Sequence, residues 1–227
     1  MAYLYETHVH TAEGSKCGTS TAAEQVRAYK QLGYAGIIVT DHFINGNATC
    51  PLGLPWEESM QIVLSGYFAA KDEGDKIGLD VFLGWEFGGR GAEQGLELLT
   101  YGLGMDFLLA HPKLNELPHK QYCNLVHKHG GFIAQAHPYR EKNYITNPGP
   151  ICHTLLDAVE VYNVFDPAES NQKALQFARK HNLPQQAGSD SHNKMDAVRT
   201  GVELVKKADT IFDIIHAIKA GEVKLIK

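Results

Sequence analysis

Residues 4–42 read LYETHVHTAEGSKCGTSTAAEQVRAYKQLGYAGIIVTDH. Leu4 to Val9 predicts a first strand, closed by His8-Val9-His10. Thr21 to Leu32 predicts a helix. Thr21 and Glu24 make a capping box, Ala22, Val26, Tyr29 and Leu32 line one face, and Gly33 stops it. Gly36 to Thr40 is an apolar, β-branched run of the buried-strand type, followed by Asp41-His42. Strand, helix and buried strand in that order make the unit from which parallel sheets are built.

The pattern repeats outward from this stretch. Trp56, Met60, Val63 and Tyr67 recur at helical spacing, ended by Gly74. Val81 to Trp85, Leu96 to Tyr101 and Phe107 to Ala110 predict strands. Pro118 to His129 predicts a helix that begins on a proline and ends at Gly130-Gly131. Strands are expected at Phe132 to Ala136, Ala158 to Tyr162 and Gln185 to Gly188, with a helix over Pro167 to Lys180. Val202 to Val205, an isoleucine-striped helix (Ile211, Ile214, Ile215, Ile218) and Val223 to Ile226 close the chain. A mostly parallel sheet follows. The chain carries no Gly-x-Gly-x-x-Gly after the first strand and no Gly-x-x-x-x-Gly-Lys-Ser/Thr. That favours a closed α/β barrel over an open nucleotide-binding sheet. With 227 residues, 44% of them hydrophobic, the chain suits one domain, 1–227.

Composition removes several function classes. The net charge is -5 with acidic and basic residues intermixed, so no basic arm for nucleic acid is expected. No apolar run approaches the ~20 residues of a membrane span, and Met1 to His10 lacks the basic and apolar regions of a signal peptide. Cys17, Cys50, Cys123 and Cys152 are widely spaced without a Cys-x-x-Cys, which predicts reduced thiols and a cytoplasmic location.

Polar residues fall at the strand ends. His8 and His10 close the first strand, Asp41 and His42 the second, and Glu86 follows Trp85. His111 follows Phe107 to Ala110, and His137 follows Ala136. Glu160 and Asn163 end their strand, and Asp190 and His192 follow Gly188. A lone histidine at a strand end is most often an ordinary hydrogen-bonded residue. His-x-His on one strand, however, puts both imidazoles on one face, and Asp190-x-His192 repeats that geometry. In a parallel barrel the C-terminal strand ends meet on one face, so these residues should converge. Imidazoles with carboxylates suit zinc, manganese or iron. A carboxylate such as Glu86 can bridge two ions, which together can hold a hydroxide and clamp a phosphoryl group. His119, His127, His129, His153, His181 and His216 lie away from strand ends and read as ordinary.

With these motifs in place, the chain resembles the polymerase and histidinol phosphatase (PHP) family. The matching motifs are His8-Val9-His10-Thr11, Thr40-Asp41-His42, Glu86, His111, Ala136-His137-Pro138 and Ser189-Asp190-Ser191-His192, in family order over nearly the whole chain. The resemblance implies a distorted (β/α)7 TIM-like barrel with two or three divalent metal ions. It implies His8, His10, Glu86 and Asp190 as ligands of a first ion. Glu86, His111 and His137 would hold a second, with Glu86 bridging, and His42 and His192 a third. Asp41 would orient a ligand. The family often completes the third site with a histidine or aspartate shortly after the first motif. Here Glu13 or Cys17 stands in that stretch, and Glu13, a hard carboxylate, is the expected ligand.

The expected activity is that of a phosphatase: a metal-bridging hydroxide attacks a small phosphomonoester, and Glu86, His111 and Arg140 form the catalytic set. Arg140 follows His137-Pro138-Tyr139 and is expected at the mouth, paired with the phosphate. Arg199, Lys16, Arg90 and Asn163 are further substrate-facing candidates, and Glu160 a brace. No cysteine is followed at the sixth position by arginine, so no Cys-x5-Arg phosphatase loop is present. The alternatives are hydrolysis at carbon, on an amide or lactone, and a non-catalytic metal-holding module. Nucleic acid is the less expected partner, because single strands need a basic, aromatic-lined groove.

Overall fold

The computed structural model describes residues 2–227, so Met1 of the expected 1–227 domain lies outside the described residues. The first strand, β1, spans Tyr3–Val9, and α1 spans Ala22–Gln31. The expected capping box opens α1: Thr21 Oγ1 accepts from Glu24 N at 3.3 Å and Glu24 Oε2 from Thr21 N at 3.0 Å. β2 (Gly36–Val39) then runs parallel to β1. The helical stretch after Trp56 is two helices, α2 (Trp56–Val63) and α3 (Ser65–Ile77), parted at Leu64. Gly74 does not stop α3. Gly78, in the left-handed conformation at φ 72°, does. β3 (Asp80–Gly88) is parallel to β2.

The middle of the chain departs from the parallel expectation. β4 (Glu97–Tyr101) is antiparallel to both β3 and β5 (Phe132–Gln135). Phe107 to Ala110 is not a strand but the end of a helix, α4 (Met105–Ala110). Its four apolar residues carry no period that separates strand from helix. α5 (His119–Lys128) begins after Pro118 as expected. β6 (Ala158–Asn163), α6 (Ala168–Lys180) and β7 (Gln185–Gly188) restore the parallel pattern. At the end, β8 (Gly201–Leu204) pairs antiparallel with β1. After α7 (Ile211–Ala220), β9 (Lys224–Ile226) pairs antiparallel with β8.

The strand order among the described residues is β7-β6-β5-β4-β3-β2-β1-β8-β9. The sheet curls until its two parts meet. Val9 bridges Ser191 in parallel just past β7, His10 N donates to Ser191 O at 2.9 Å, and Thr7 Oγ1 donates to Ala187 O at 2.9 Å. The result is the distorted, nearly closed α/β barrel that the resemblance implied. No helix of the described residues is long and apolar enough to cross a membrane.

Side-chain alternation separates inside from outside. Ile38, Leu99, Tyr101, Phe132, Ala134 and Ala158 pack in one buried cluster. Their neighbours along the strands, such as Leu98, Ile133 and Val159, pack in another with Met60, Tyr122, Val126 and Ala174 of the helices. On β1, Tyr5 belongs to the first cluster, while Leu4 and Val9 pack with Val26, Tyr29 and Ala70 of α1 and α3. Strict alternation would put Tyr5 and Val9 on the same face. A register shift between Glu6 and Val9 reverses it. The bulge turns Val9 outward and so aims His8 and His10 into the barrel.

Candidate metal centre

Glu86, at the end of β3, is the hub. Its Oε1 lies 3.3 Å from His8 Nε2 and 3.2 Å from His137 Nε2. Its Oε2 lies 3.4 Å from His10 Nε2 and 2.8 Å from His42 Nδ1. Asp190 Oδ1 stands 3.3 Å from His8 Nε2 and 3.2 Å from His10 Nε2. His192 stacks on His10 with ring centroids 4.3 Å apart. The donor atoms fall into overlapping sets within 4.8 Å of one another: His8, His10 and Asp190; His8, Glu86 and His137; His42, Glu86 and Glu97; His10, His42 and His192. The structure thus brings together His8, His10, His42, Glu86, His137, Asp190 and His192, drawn from five strand ends.

Neighbouring groups fix how each donor points. Glu160 Oε1 accepts from His8 Nδ1 at 3.0 Å, which leaves Nε2 to face the site. Ser15 Oγ donates to Asp41 Oδ1 at 2.7 Å and lies 3.0 Å from His10 Nδ1, so that chain sets His10 in the same sense. Asp41 also accepts from Thr11 N and Thr11 Oγ1, both at 2.7 Å. It therefore reaches His10 through Ser15. Gly66 on α3 makes room for this arrangement: a Cβ there would stand 2.1 Å from both Asp41 Oδ2 and Thr11 Oγ1. His192 Nδ1 donates to Asp190 O at 2.7 Å. His137 and Asp190 hold positive φ, 26° and 55°. For residues with a Cβ that costs about 1–3 kcal/mol each, and the hydrogen bonds around them hold it.

The donors fit divalent cations. His42 Nδ1 is buried 2.8 Å from Glu86 Oε2 yet has no hydrogen-bond partner, as expected of two ligands facing one cation. Burial disfavours charge on Glu86. The imidazoles of His42 and His8, with a hydrogen bond from His137, nevertheless hold its carboxyl well below the usual range. Asp190 is likewise held low against burial, by His8, His10 and Arg140. Burial and then the neighbouring imidazoles of His192 and His42 push His10 well down, leaving a neutral ring ready to ligate. Burial and then the neighbouring Glu86 carboxylate push Glu97 up to about 7.

Three sequence expectations are corrected. His111 follows a helix instead of a strand. Its Nδ1 bonds Phe107 O at 2.7 Å, and its ring packs on Phe107 and His129, outside every donor set. Glu13 does not complete the third set: its Oε2 accepts from Ala22 N at 2.8 Å and caps the first turn of α1. Arg140 is not a free phosphate clamp. It is buried, with Nε on Asp166 at 2.7 Å, Nη1 on Asp190 Oδ2 at 2.7 Å and Nη2 on Asn163 Oδ1 at 2.9 Å. It holds one Asp190 oxygen while the other faces His8 and His10. Lys16, Arg90 and Arg199 are exposed and do not line the cavity.

Two residues escaped the sequence reading. Glu97 lies 3.6 Å from both His42 Nδ1 and His137 Nε2, where His111 was expected. It opens β4, which runs antiparallel, so its site-facing end is its beginning. Glu6, in the middle of β1, accepts at one oxygen from Thr7 N, His8 N and Ser189 N, at 2.9, 3.0 and 2.9 Å, and so braces the bulge that aims His8. Glu6→Gln, which keeps the acceptor, is expected to leave metal affinity near wild type. Glu6→Leu, which strands three buried N–H groups, should weaken it by about 10- to 100-fold. Isothermal titration with manganese reads both, and equal affinity in the leucine variant would remove Glu6 from the account.

Above these donors opens a cavity of about 440 Å3, walled by Cys17, Glu86, Glu97 and Asp190 below and by Asn45, Asn47, Gln94 and Tyr144 towards the mouth. Burial opposes ionisation of the Cys17 thiol, but the neighbouring His192 and His42 imidazoles bring it down to about 6.

The barrel and its ligand-like cluster define a metal-site α/β fold, and comparisons with known proteins place it further. Residues 168–223 match the family model described as PHP-associated, PHP_C. No curated protein matches the chain. Among solved structures, one similar in fold is a two-domain protein of Bacteroides vulgatus containing a predicted PHP-like metal-dependent phosphoesterase. It has a TM-score of 0.72 and 15% identity, over 100% of this chain and 65% of that one. An amidohydrolase of Chromobacterium violaceum with bound sulfate and no metal matches at TM-score 0.63 and 13% identity, over 97% of each chain. The lesion-specific endonuclease PfuEndoQ of Pyrococcus furiosus matches at 0.63 and 14%, over 99% of this chain and 58% of that one. This chain thus spans less than two thirds of the first and third of these proteins. At these identities the neighbours establish the fold. The family-model match covers residues 168–223 alone, less than half of the chain. An endonuclease among the neighbours leaves the expected exclusion of nucleic acid without support.

Proposed function

We propose that the chain is a metal-dependent phosphoesterase that hydrolyses a small phosphomonoester, working with two or three zinc, manganese or iron ions. The observation that carries this reading is the convergence of His8, His10, His42 and His137 on the two oxygens of Glu86 at the floor of the cavity. Divalent ions held there would supply a Lewis acid and an acidified water as nucleophile. The protein's own part is positional. Glu160 and the Ser15–Asp41 pair present the imidazoles of His8 and His10, Arg140 fixes Asp190, and the buried walls limit water. A volume of about 440 Å3 lies within the range of small-molecule sites. Arg140 is the one cation lining it among the described residues, and its donors are taken. The phosphate would therefore rely on the ions, and the rest of the substrate would meet the neutral Asn45, Asn47 and Gln94. The four free cysteines are in keeping with a cytoplasmic location.

The amidohydrolase of the same fold favours a second reading, hydrolysis at carbon. Phosphate release from p-nitrophenyl phosphate with added manganese, set beside amide, lactone and oligonucleotide panels, separates the classes. We expect release that stops with chelator and in His10→Ala. Turnover confined to amides or lactones would move the assignment to carbon, and turnover confined to oligonucleotides to a nuclease.

A further inference from the structure

Resting on the phosphoesterase reading above, we propose that the mouth of the cavity selects the phosphate monoester of a small, uncharged, hydroxyl-bearing alcohol, read by Asn45, Asn47, Gln94 and Tyr144, and turns away esters that carry a second anionic group. These four side chains line the cavity and are neutral. An amide offers N–H donors and a carbonyl acceptor, and a phenol does both with one oxygen. The set therefore matches hydroxyl groups, which also donate and accept. One acceptor stands open: Asn45 Nδ2 donates to Gly88 O, while Asn45 Oδ1 is buried without a hydrogen-bond partner. A substrate hydroxyl would satisfy it, and an unmet buried acceptor costs free energy.

The backbone holds these groups in place. Gly46 N donates to Phe43 O at 2.8 Å and Lys16 N to Asn47 O at 2.8 Å, which ties down the turn carrying Asn45 and Asn47. Thr146 N donates to Gln94 O at 3.1 Å and Asn147 Nδ2 to Ala92 O at 2.8 Å, so the loops bearing Gln94 and Tyr144 are joined. Buried Ile145 packs on Gly95, where a Cβ would stand 2.8 Å from Ile145 Cγ1. Tyr144 is thereby fixed over the cavity although its side chain is half-exposed. Burial and then Glu97 push its hydroxyl up to about 12, so it stays protonated as a donor. Charge explains the exclusion. The floor carries Glu86, Glu97 and Asp190. Arg140, the one lining cation among the described residues, has its nitrogens on Asp166, Asp190 and Asn163. With the phosphoryl group turned to the donor cluster, a second anion has to sit at the mouth. There it would give up hydration with no cation to pair with. The volume of about 440 Å3 lies towards the small end of the roughly 300–1,000 Å3 of such sites, which limits the size of the alcohol.

Matched pairs of esters test this with the manganese-loaded full chain. The kcat/KM for glycerol 3-phosphate should exceed that for 3-phosphoglycerate by about 100-fold or more, and glucose 6-phosphate should exceed glucose 1,6-bisphosphate by a similar factor. Gln94→Lys puts a cation at the mouth and should narrow both ratios by about tenfold, by speeding the charged member of each pair. Tyr144→Phe should raise KM for glycerol 3-phosphate more than for p-nitrophenyl phosphate, whose leaving group has no further hydroxyl to read. Charged esters turned over as fast as their neutral partners, release from p-nitrophenyl phosphate alone, ratios that stay put in Gln94→Lys, or equal KM changes in Tyr144→Phe overturn the proposal and leave the phosphoesterase reading standing. No phosphate released from any ester by the folded, metal-loaded chain overturns that reading itself.

Discussion

Glu86→Gln is expected to lower kcat/KM for phosphate release by about 10³-fold or more, with the fold retained. The substitution keeps shape and volume but removes the charge between four imidazoles. Each Glu86 oxygen faces two of them, at 2.8 to 3.4 Å. A carboxylate can serve cations on both sides, and an amide offers one weak oxygen. Losing a bridging ligand forfeits several kcal/mol of the charge stabilisation that metal ions give the transition state, and each 1.36 kcal/mol is tenfold in rate. The variant should also bind less manganese, measured by elemental analysis after dialysis, while circular dichroism stays unchanged. Retained turnover in a folded Glu86→Gln protein would show that the hub is structural only.

Divalent metal should raise the melting temperature by roughly 8–16 °C, and chelator should reverse the gain. Glu86 and Asp190 are buried beside Glu97 and Glu160, so folding confines several carboxylates with little water to screen them. An ion bound only by the folded chain stabilises it by about 4 kcal/mol at a thousandfold excess over Kd. For a chain of this length each kcal/mol moves Tm by about 2–4 °C. Differential scanning fluorimetry with EDTA, manganese and zinc measures the shift. An unchanged Tm would mean that the crowded carboxylates are satisfied without a cation.

Much of the site was legible in the chain. His8-x-His10, Asp41-His42, Glu86, His137 and Asp190-x-His192 stand just after apolar runs of strand type, and parallel strands bring such ends to one face. The resemblance that these motifs carry implied a barrel, and the structure has one. What escaped has identifiable causes. Phe107 to Ala110 is too short to declare its period, so His111 was placed after a strand that does not exist. Glu97 precedes its strand, and nothing in Glu97–Tyr101 announces that the strand runs backwards. Glu6 sits in a strand interior, where a carboxylate leaves no periodic trace. In the loop after the first motif, hardness alone ranked Glu13 above Cys17. The backbone then turned Glu13 towards α1 and Cys17 towards His42 and His192.

The sequence by itself determined the elements, the helix cap at Thr21 and the residue types that converge. These rest on local periodicity and on hydrogen bonds between residues a few positions apart. Only the tertiary structure decided strand direction, the bulge that turns His8 and His10 inward, and which carboxylates face the cluster. Those depend on pairing between segments distant in the chain: β4 takes its direction from β3 and β5, and the β1 bulge is held by bonds that reach Ser189. A local stretch carries no record of the partner it will meet.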